Sequence, residues 1–397
     1  MNQFDIILVG GGLANGLIAD RLAVGRRNLH VLIVEAGDRL GGDHTWSYHA
    51  SDVTTEQDRW LKSIGRAAWD TQTVQFPAYT RTLDTGYRTM TGHDLHRRLT
   101  SYDHLYISLS TRVASVADDK ITLEGGREIH GTCIIDGRGM HPAPELKLGY
   151  QKFFGLECDM REPHGLSGPI LMDATVAQTD GYRFIYCLPY SPTLMLIEDT
   201  YYSATPELNT TGSEQGIRTY AQTRGWEINV VEREESGVLP VVMDGDLDMI
   251  WPSHGTTPRS GMRAGLFHHT TGYSLPFAAR IADNLVKHDV LNSQTIAAYV
   301  RTEAQNAWQN QTYFRLLNRL LFLAAQNEEP RGIFERFYRL PKSLIESFYA
   351  ADLNAWHKFR ILFGSPPVSV QKALAAMPPN AAADRVALGQ LSGEEGT

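Results

Sequence analysis

Three consecutive glycines near the N-terminus have the spacing of a turn that binds phosphate. They follow the apolar run at residues 6–9, and a helical pattern begins at Leu13. In such a turn Gly10 permits the tight bend, and Gly12 lets backbone N–H groups approach a pyrophosphate, which the helix N-terminus also attracts. Asn15 stands where the usual pattern has its third glycine.

A carboxylate follows this turn at the distance that a bound nucleotide requires. The apolar run at 31–34 ends in Glu35, twenty residues after Asn15. An acid at the end of this second strand can accept hydrogen bonds from the ribose hydroxyls of an adenosine. Strand, glycine turn, helix, strand and acid therefore predict a unit that binds a dinucleotide. The alternative is a glycine-rich turn in another strand–helix–strand protein, in which Glu35 is an ordinary exposed acid.

Two later glycine-containing segments can also meet such a cofactor. The apolar strand at 132–136 is followed by Gly137, at the carboxyl edge where parallel sheets contact their cofactors. The loop at 261–276 leads into a helical pattern. A glycine-rich loop before a helix N-terminus suits the ribityl and pyrophosphate end of a flavin dinucleotide. The alternative for this loop is a tight structural turn.

Composition excludes several classes of function. The chain has 397 residues, 42% hydrophobic and 21% charged, which is enough for more than one core. The net charge of −8 argues against a general nucleic-acid binder. Cys133, Cys158 and Cys187 form no CxxC pair, which predicts no metal or disulfide framework and fits a reducing cytosol. No apolar run reaches ~18 residues and the first strand follows Met1 almost at once, so we expect neither a bilayer-crossing helix nor a signal peptide.

The pattern changes along the chain and predicts an α/β protein. Residues 1–149 and 238–292 hold the glycine-rich turns and are predicted to form a discontinuous dinucleotide-binding domain. Residues 150–237 carry alternating or continuous apolar runs between Pro and Gly, which predicts an antiparallel sheet that covers a substrate. Residues 293–377 are predicted to be helical, and we expect 378–397, rich in Pro, Ala and Gly, to form a disordered tail.

The segment at 334–349 has two interpretations. It interleaves aromatic residues with Arg336, Arg339 and Lys342. Aromatic residues on one side and cations on another suit a segment that lies on anionic lipid. The same pattern occurs in an amphipathic helix that packs on the protein's own core, and the sequence does not choose between the two.

Six segments, in order over nearly the whole chain, resemble one known family. They are LVGGGLANGLIA at 8–19, HTWS at 44–47, DGRG at 136–139, LIEDT at 196–200, RAGLFH with TTGYSLP at 263–276, and RFYRLP at 336–341. Together they resemble the bacterial lycopene β-cyclases, the flavoproteins that close the rings of β-carotene. Asn15 at the third glycine position is itself usual in this family.

The resemblance implies a fold like that of the aromatic hydroxylases and geranylgeranyl reductases. This fold combines a Rossmann-like FAD-binding domain, an antiparallel β substrate domain and a C-terminal helical region. The resemblance also implies FAD in its reduced form, with NAD(P)H as the reductant. The residues that we expect to bind the cofactor are Gly10, Gly12, Leu13, Ala14, Asn15, Glu35, Asp136, Gly137, Arg263, Ala264, Gly265, Gly272 and Tyr273.

The resemblance further implies an isomerisation that closes the ψ-ends of lycopene to β-rings, giving γ-carotene and then β-carotene. Such an intramolecular lyase must protonate an alkene, stabilise the resulting cation and exclude water. The expected partners are lycopene, the monocyclic carotenoid and a membrane surface, without nucleic acid. The expected location is cytoplasmic, peripheral to the inner face of the cell membrane. The sequence indicates neither the oligomeric state nor whether one or both ends are closed.

Glu198 and Asp199 are the candidate catalytic acids. In a strand, Leu196 and Glu198 share one face, and Asp199 lies on the other. Desolvation on an apolar face raises a carboxyl pKa, which matters because at a pKa of about 4.3 only roughly one carboxyl in 500 is protonated at neutral pH. The LIEDT motif assigns the acid to Glu198 and a hydrogen-bonding role to Asp199, although the sequence allows the reverse. Without the motif, Glu198 would be interpreted as an exposed acid at a strand end.

Two other functions are compatible with the sequence. A redox flavoenzyme, either a monooxygenase or an isoprenoid reductase, has the same dinucleotide motif but consumes cofactor in proportion to product. A non-catalytic flavin- or lipid-binding membrane protein would keep its activity after Glu198→Gln. Within the cyclase interpretation, reduced flavin can stabilise the cation or move the proton itself, and the sequence does not choose between Glu198 and the flavin as proton donor.

Overall fold

The computed structural model describes residues 3–141, 143–251, 256–324 and 329–362. Its strands are β1 Gln3–Val9, β2 Val31–Val34, β3 Thr45–His49, β4 Ala67–Trp69, β5 Gln72–Phe76, β6 Tyr79–Leu83, β7 Tyr87–Thr91, β8 Leu105–Ser108, β9 Val113–Val116, β10 Lys120–Leu123, β11 Glu128–Asp136, β12 Lys147–Met160, β13 Ile170–Asp173, β14 Tyr182–Pro189, β15 Leu194–Ser203 and β16 Ile228–Asp244.

Helices alternate with groups of strands as far as β16, and all the described elements after β16 are helical. They are α1 Leu13–Gly25, α2 Thr55–Lys62, α3 Gly92–Thr100, α4 Thr210–Thr223, α5 Leu247–Ile250, α6 Leu275–Leu285, α7 Ser293–Asn310, α8 Thr312–Arg319, α9 Glu329–Tyr338, α10 Lys342–Tyr349 and α11 Ala355–Leu362. Short 3-10 turns form at Ala50–Asp52 and Gly261–Ala264, and a π-helical turn at Leu320–Ala324.

The first sheet has the strand order β8-β2-β1-β11-β10-β9. Its first four strands run in parallel, and β10 and β9 continue it in antiparallel pairs. The apolar run in β1 is continuous because both faces are covered. Ile6 and Leu8 belong to the core that contains α1 and α6, whereas Ile7 and Val9 belong to a cluster on the opposite face.

The carboxyl ends of the parallel strands meet at one edge of this sheet. Val9 at the end of β1 lies opposite Val34 of β2 and Asp136 of β11. The residues that follow these strand ends are Gly10, Glu35 and Gly137, which the sequence analysis assigned to the cofactor. Strand register alone therefore brings three distant segments to a common edge.

The second, larger sheet has the strand order β16-β12-β15-β14-β13-β5-β6. It is antiparallel except for the parallel pair of β13 with β5. Leu196 of β15 belongs to a core cluster shared with Phe314 and Phe348 of the C-terminal helices, whereas Ile197 packs in the cluster that contains Ile217 of α4. The predicted fold class is confirmed, and a small antiparallel sheet of order β3-β7-β4 completes it.

The large sheet draws on more of the chain than the predicted region 150–237. Strands β5 and β6 come from the N-terminal region, and β12 and β16 both extend past the predicted boundaries. These two strands pair from Lys147 opposite Asp244 to Met160 opposite Ile228. The division of the chain into domains stays a prediction. Its boundaries at 149/150 and 237/238 fall inside β12 and β16, two strands that pair with each other on both sides of these boundaries.

The segment at 334–349 forms two helices that pack on the protein's own core. Pro341 lies directly before α10 and separates this helix from α9. Tyr338, Phe348 and Tyr349 are buried, and the hydroxyls of the two tyrosines lie 2.5 Å apart. These aromatic residues therefore pack on the protein's own core, as in the second of the two interpretations of this segment. The predicted tail and the end of the predicted helical region, 363–397, lie outside the described residues.

None of the helices in the described ranges combines the length and the apolar character that crossing a bilayer requires.

Candidate active site

The glycine turn after β1 is held open by two backbone features. Gly10 has a positive φ of 89°, and a Cβ on it would lie 3.0 Å from the carbonyl oxygen of Gly137, so a side chain here would push two strand ends apart. Gly12 caps α1 without a side-chain hydrogen bond, and a Cβ on it would meet no atom within 4 Å. The first amides of α1, at Leu13 and Ala14, consequently begin beside open space, where an anion can approach.

Asn15 supports this turn from behind. Its Nδ2 donates to the carbonyl oxygens of Val9 at 3.0 Å and Gly10 at 2.9 Å, and its Oδ1 accepts from the Ser260 hydroxyl at 2.7 Å. Asn15 is buried, and the structure thus places it next to the predicted cofactor site without exposing it there. A glycine at this position would remove all three hydrogen bonds, although the Val9 carbonyl oxygen would still accept from the Gly137 amide at 2.8 Å.

Glu35 joins the glycine turn to the loop that follows β2. Its Oε2 accepts from the Gly11 amide at 2.6 Å, and its Oε1 accepts from the Gly37 amide at 2.7 Å. Glu35 is half-buried at the rim of the main cavity. The carboxylate is therefore positioned by backbone donors and remains accessible to a ligand.

Asp136 is the centre of an ion cluster. Arg138 donates to both of its carboxylate oxygens at 2.9 Å, and the Arg263 Nε lies 2.7 Å from Oδ2. Burial opposes ionisation, but the hydrogen bonds and charges of the two arginines hold the pKa of Asp136 below its usual value. Asp136 thus orders the loop at 136–139, of which Gly137 and Arg138 line the cavity.

The loop at 261–276 contributes differently from the prediction. Gly261 and Met262 line the cavity, as do the predicted Gly272 and Tyr273. Ala264 is buried in the first core, and a Cβ on Gly265 would lie 3.0 Å from Leu247. The structure therefore does not bring Ala264 or Gly265 to the cavity, because the 3-10 turn at Gly261–Ala264 directs them inward.

One cavity of about 870 Å³ connects the glycine turn with the large sheet. Its first end is lined by Gly10, Gly12, Leu13, Ala14 and Glu35. Its other end is lined by side chains of the large sheet, with Thr45, Trp46 and Ser47 of β3 between the two ends. The sheet end is mostly apolar and includes Leu171, Met172, Phe184, Tyr186, Tyr202 and Glu198.

Glu198 is the acid at this apolar end. It lies on the cavity face of β15, is only 9% exposed, and accepts a 2.5 Å hydrogen bond from the Thr200 hydroxyl. Burial, followed by the negative charge of Glu235, raises the pKa of Glu198 to about 8, against the opposing hydrogen bond from Thr200. At neutral pH Glu198 is therefore mostly protonated and can act as a general acid.

Asp199 points to the opposite face of β15. Its carboxylate accepts from Arg183 at 2.8 and 3.0 Å and from the Tyr201 hydroxyl at 2.8 Å. It is fully buried beneath α4, and a Cβ on Gly216 of that helix would lie 2.8 Å from it. Asp199 is not among the residues that line the main cavity, and its contacts are those of a structural ion pair, so its catalytic role stays a prediction.

Sequence reasoning missed Glu235, a buried acid on β16. It lies across Gly155 from Glu198, since both residues pair with Gly155 in the large sheet. Alternation in β16 places Arg233 and Glu235 on one face and Glu232 and Glu234 on the other. Both faces of this run carry charge, so the pattern could not reveal which acid is buried.

Comparison with known sequences finds one matching family and relatives that share one name. Residues 5–375 match the family described as "Lycopene cyclase protein". A "Lycopene beta-cyclase" of Pseudescherichia vulneris is 44% identical over 369 residues, 93% of this chain and 96% of the relative. A "Lycopene beta-cyclase" of Pantoea ananas is 43% identical over 375 residues, 94% of this chain and 98% of the relative.

Solved structures show the same fold at much lower identity. A probable FAD-dependent monooxygenase from Pseudomonas aeruginosa aligns with a TM-score of 0.58 and 15% identity, over 85% of this chain and 100% of the other. A geranylgeranyl bacteriochlorophyll reductase-like protein from Thermoplasma acidophilum aligns with a TM-score of 0.56 and 11% identity, over 99% of both chains. The match of the family across residues 5–375 and the two relatives above 40% identity confirm the resemblance of the six segments: this chain belongs to the lycopene cyclase family.

Proposed function

We propose that this enzyme closes the ψ-ends of lycopene to β-rings, passing through a monocyclic carotenoid to β-carotene without net oxidation or reduction. The observation that carries the proposal is Glu198, a buried acid that shares one cavity with a dinucleotide cradle. Two relatives above 40% identity bear the name lycopene beta-cyclase. The apolar end of the cavity suits a hydrocarbon substrate.

The glycine turn fits FAD. The open side of Gly12, the free amides at the start of α1 and the Glu35 carboxylate offer donors for a pyrophosphate and an acceptor for a ribose. Gly137, Gly272 and Tyr273 line the same cavity and are the other residues proposed to contact the cofactor. Reduced FAD, when bound, would supply negative charge that stabilises a cation, and NAD(P)H is the proposed reductant.

Glu198 supplies the proton in the proposed reaction. Its carboxyl proton is transferred to the terminal double bond of the ψ-end, which leaves Glu198 as a carboxylate and the substrate as a tertiary cation that the next double bond along the chain attacks to close the ring. A proton then leaves a ring carbon, so the product is an isomer of the substrate. The buried surroundings that keep Glu198 protonated also exclude water, which would otherwise capture the cation as an alcohol.

Aromatic side chains at the sheet end suit a passing cation. Phe184, Tyr186 and Tyr202 line the cavity on the face of the sheet that carries Glu198. A cation over an aromatic face is stabilised by about 0.5–2 kcal/mol, more where water is excluded. These rings therefore lower the barrier to forming the cation.

A membrane surface is the proposed source of lycopene, a hydrocarbon with negligible solubility in water, and we place the enzyme on its cytoplasmic side. Helix α11 carries Trp356, 63% exposed and stacked 5.7 Å from Phe359, together with Lys358. An exposed aromatic residue beside a cation suits anionic lipid. Sedimentation with vesicles that contain phosphatidylglycerol tests this, with Trp356→Ala expected to weaken binding and Tyr106→Ala, on another exposed ring, to leave it unchanged.

The proposed reaction is tested by anaerobic incubation with lycopene, FAD and a chemical reductant, followed by separation of the carotenoids. We expect β-carotene of unchanged mass, many turnovers per reduced flavin, and one deuterium per ring when the reaction runs in D2O. Glu198→Gln should abolish ring formation while FAD remains bound. A product whose mass changes, with reductant consumed in proportion, would instead indicate a redox flavoenzyme.

A further inference from the structure

Glu198 and Glu235 lie on either side of Gly155, which has no side chain, on the same face of the large sheet. Glu198 of β15 and Glu235 of β16 both lie opposite Gly155 on the strand between them. A Cβ on Gly155 would be 3.2 Å from Cγ of Glu235 and 3.6 Å from Cβ of Glu198. Because Gly155 has no side chain, no side chain of the middle strand stands between these two buried acids.

The two acids differ in their partners. Glu235 Oε2 lies 2.7 Å from Arg233 Nη1 and accepts a 2.6 Å hydrogen bond from the Thr45 hydroxyl. Glu198 forms no salt bridge within the ranges that the structure describes, and its hydrogen bond comes from the neutral Thr200. Negative charge is therefore better stabilised on Glu235 than on Glu198.

Arg233 belongs to a balanced cluster of charges. Arg66 donates to both oxygens of Glu157, at 2.9 and 2.6 Å, and Arg233 Nε contacts the same Glu157 at 3.2 Å. Two arginines thus face two glutamates, and the cluster is neutral when both Glu157 and Glu235 are ionised. A further ionised carboxylate at Glu198 would have no cation left to balance it.

The other titratable groups near Glu198 and Glu235 leave the negative charge on Glu235 and the proton on Glu198. Tyr186 of β14 faces Glu198, and burial raises the pKa of this tyrosine well above its usual value, so it stays neutral. The charge of Glu235 helps to raise the pKa of Tyr190 in the loop after β14, and His44, in the loop before β3, acts to lower the pKa of Glu235. Asp199 lies on the opposite face, paired with Arg183. Burial raises the pKa of Glu235 itself above its usual value, and Arg233 and Thr45 offset only part of that rise.

We propose that Glu235 is a positioning residue: its ionised carboxylate, held by Arg233 and Thr45, keeps the reactive proton on Glu198 across Gly155. This inference rests on the proposed role of Glu198 and adds the group that acts through it. Proton transfer to the substrate places two like charges side by side. Glu198 is therefore driven to recover a proton from solvent, and returns to its acid form for the second ring.

The first test follows protonation without requiring turnover. In infrared difference titrations, the carbonyl stretch of a protonated carboxyl should be present in the wild type at neutral pH and absent in Glu198→Gln. In Glu235→Gln this band should titrate about 1–2 pH units lower, the size expected for a neighbouring unit charge at an effective dielectric constant of about 20. A band that persists unchanged in Glu198→Gln would show that Glu198 does not hold the proton and would overturn the proposal, even if Glu235→Gln does not fold.

The second test uses the pH profile of cyclisation. Glu235→Gln should move the alkaline limb of kcat by the same 1–2 pH units toward acid and restore activity at lower pH, whereas Glu235→Asp, which keeps the charge, should retain the wild-type limb. Glu157→Gln is the matched control, because it removes a carboxylate from the same cluster without facing Glu198. Equal shifts in Glu157→Gln and Glu235→Gln would overturn the proposal. Loss of activity in every variant with the infrared shift intact would count against the cyclase reaction alone.

Discussion

Tyr186 lies directly opposite Glu198 on the neighbouring strand, and both side chains line the same cavity. The Tyr186 hydroxyl lies 2.9 Å from the Ser47 hydroxyl and donates to the Tyr87 hydroxyl at 3.1 Å. Those contacts fix the ring beside the acid. The proton donor and an aromatic face are therefore presented together to whatever occupies the apolar end of the cavity.

The Tyr186 ring, rather than its hydroxyl, should matter for catalysis. Tyr186→Leu is expected to lower kcat about tenfold, because the cation loses an aromatic face worth about 1–2 kcal/mol, whereas Tyr186→Phe should stay within about threefold of the wild type. Steady-state formation of monocyclic and dicyclic products measures both. Equal losses in the two variants would assign the role to the hydroxyl.

Cyclisation should fail on the alkaline side. With a pKa of about 8, Glu198 keeps its proton below that pH and loses it above, so kcat should fall about tenfold per unit well above pH 8. Stability should fall as the pH rises from about 4.5 to 8, because in this window the unfolded chain has released the proton that the folded chain retains. Chemical denaturation across this range should show the slope in the wild type, and a comparable slope in Glu198→Gln would contradict the assignment.

Asp199 should affect stability and not the chemistry. Asp199→Asn leaves Arg183 without its partner beneath α4, which is expected to cost about 3 kcal/mol in the free energy of unfolding. The folded fraction should still cyclise lycopene near the wild-type rate with an unshifted pH profile. Abolished turnover in a fully folded Asp199→Asn protein would restore the catalytic role that the sequence allowed.

The glycine turn offers substitutions that separate folding from cofactor binding. Gly12→Ala enters open space and should leave thermal stability unchanged while weakening FAD binding at least tenfold. Gly10→Ala should lower both, since its positive φ and its approach to Gly137 oppose a side chain. Gly125→Ala, also in open space and outside the main cavity, is the control. Tight FAD binding by Gly12→Ala would move the cofactor away from this turn.

Asn15 should act through the backbone. Asn15→Ala removes three hydrogen bonds and is expected to cost about 3 kcal/mol in stability, whereas Ser260→Ala removes one and should cost about 1 kcal/mol. Denaturant titrations with and without FAD provide the comparison. If Asn15→Ala keeps the stability of the apoprotein and loses only FAD affinity, Asn15 contacts the cofactor as the sequence analysis predicted.

Local patterns in the sequence were sufficient for the parts of this protein that depend on neighbouring residues. The β1 strand, the glycine turn and α1 lie where they were predicted. The opposite orientation of Glu198 and Asp199 followed from the two-residue period of a strand. Such features repeat over a few residues, so hydropathy and capping patterns can reveal them.

Only the tertiary structure decided which faces are buried and which distant residues meet. The pairing of β12 with β15 and β16 brings Glu235 next to Glu198, and no pattern within β16 indicates this. Asn15 bonds to Ser260, and the aromatic residues at 334–349 pack into the core, through contacts with residues that are likewise distant in the sequence. A strand or helix carries its own periodicity, but burial depends on the elements packed against it, and these come from remote parts of the chain.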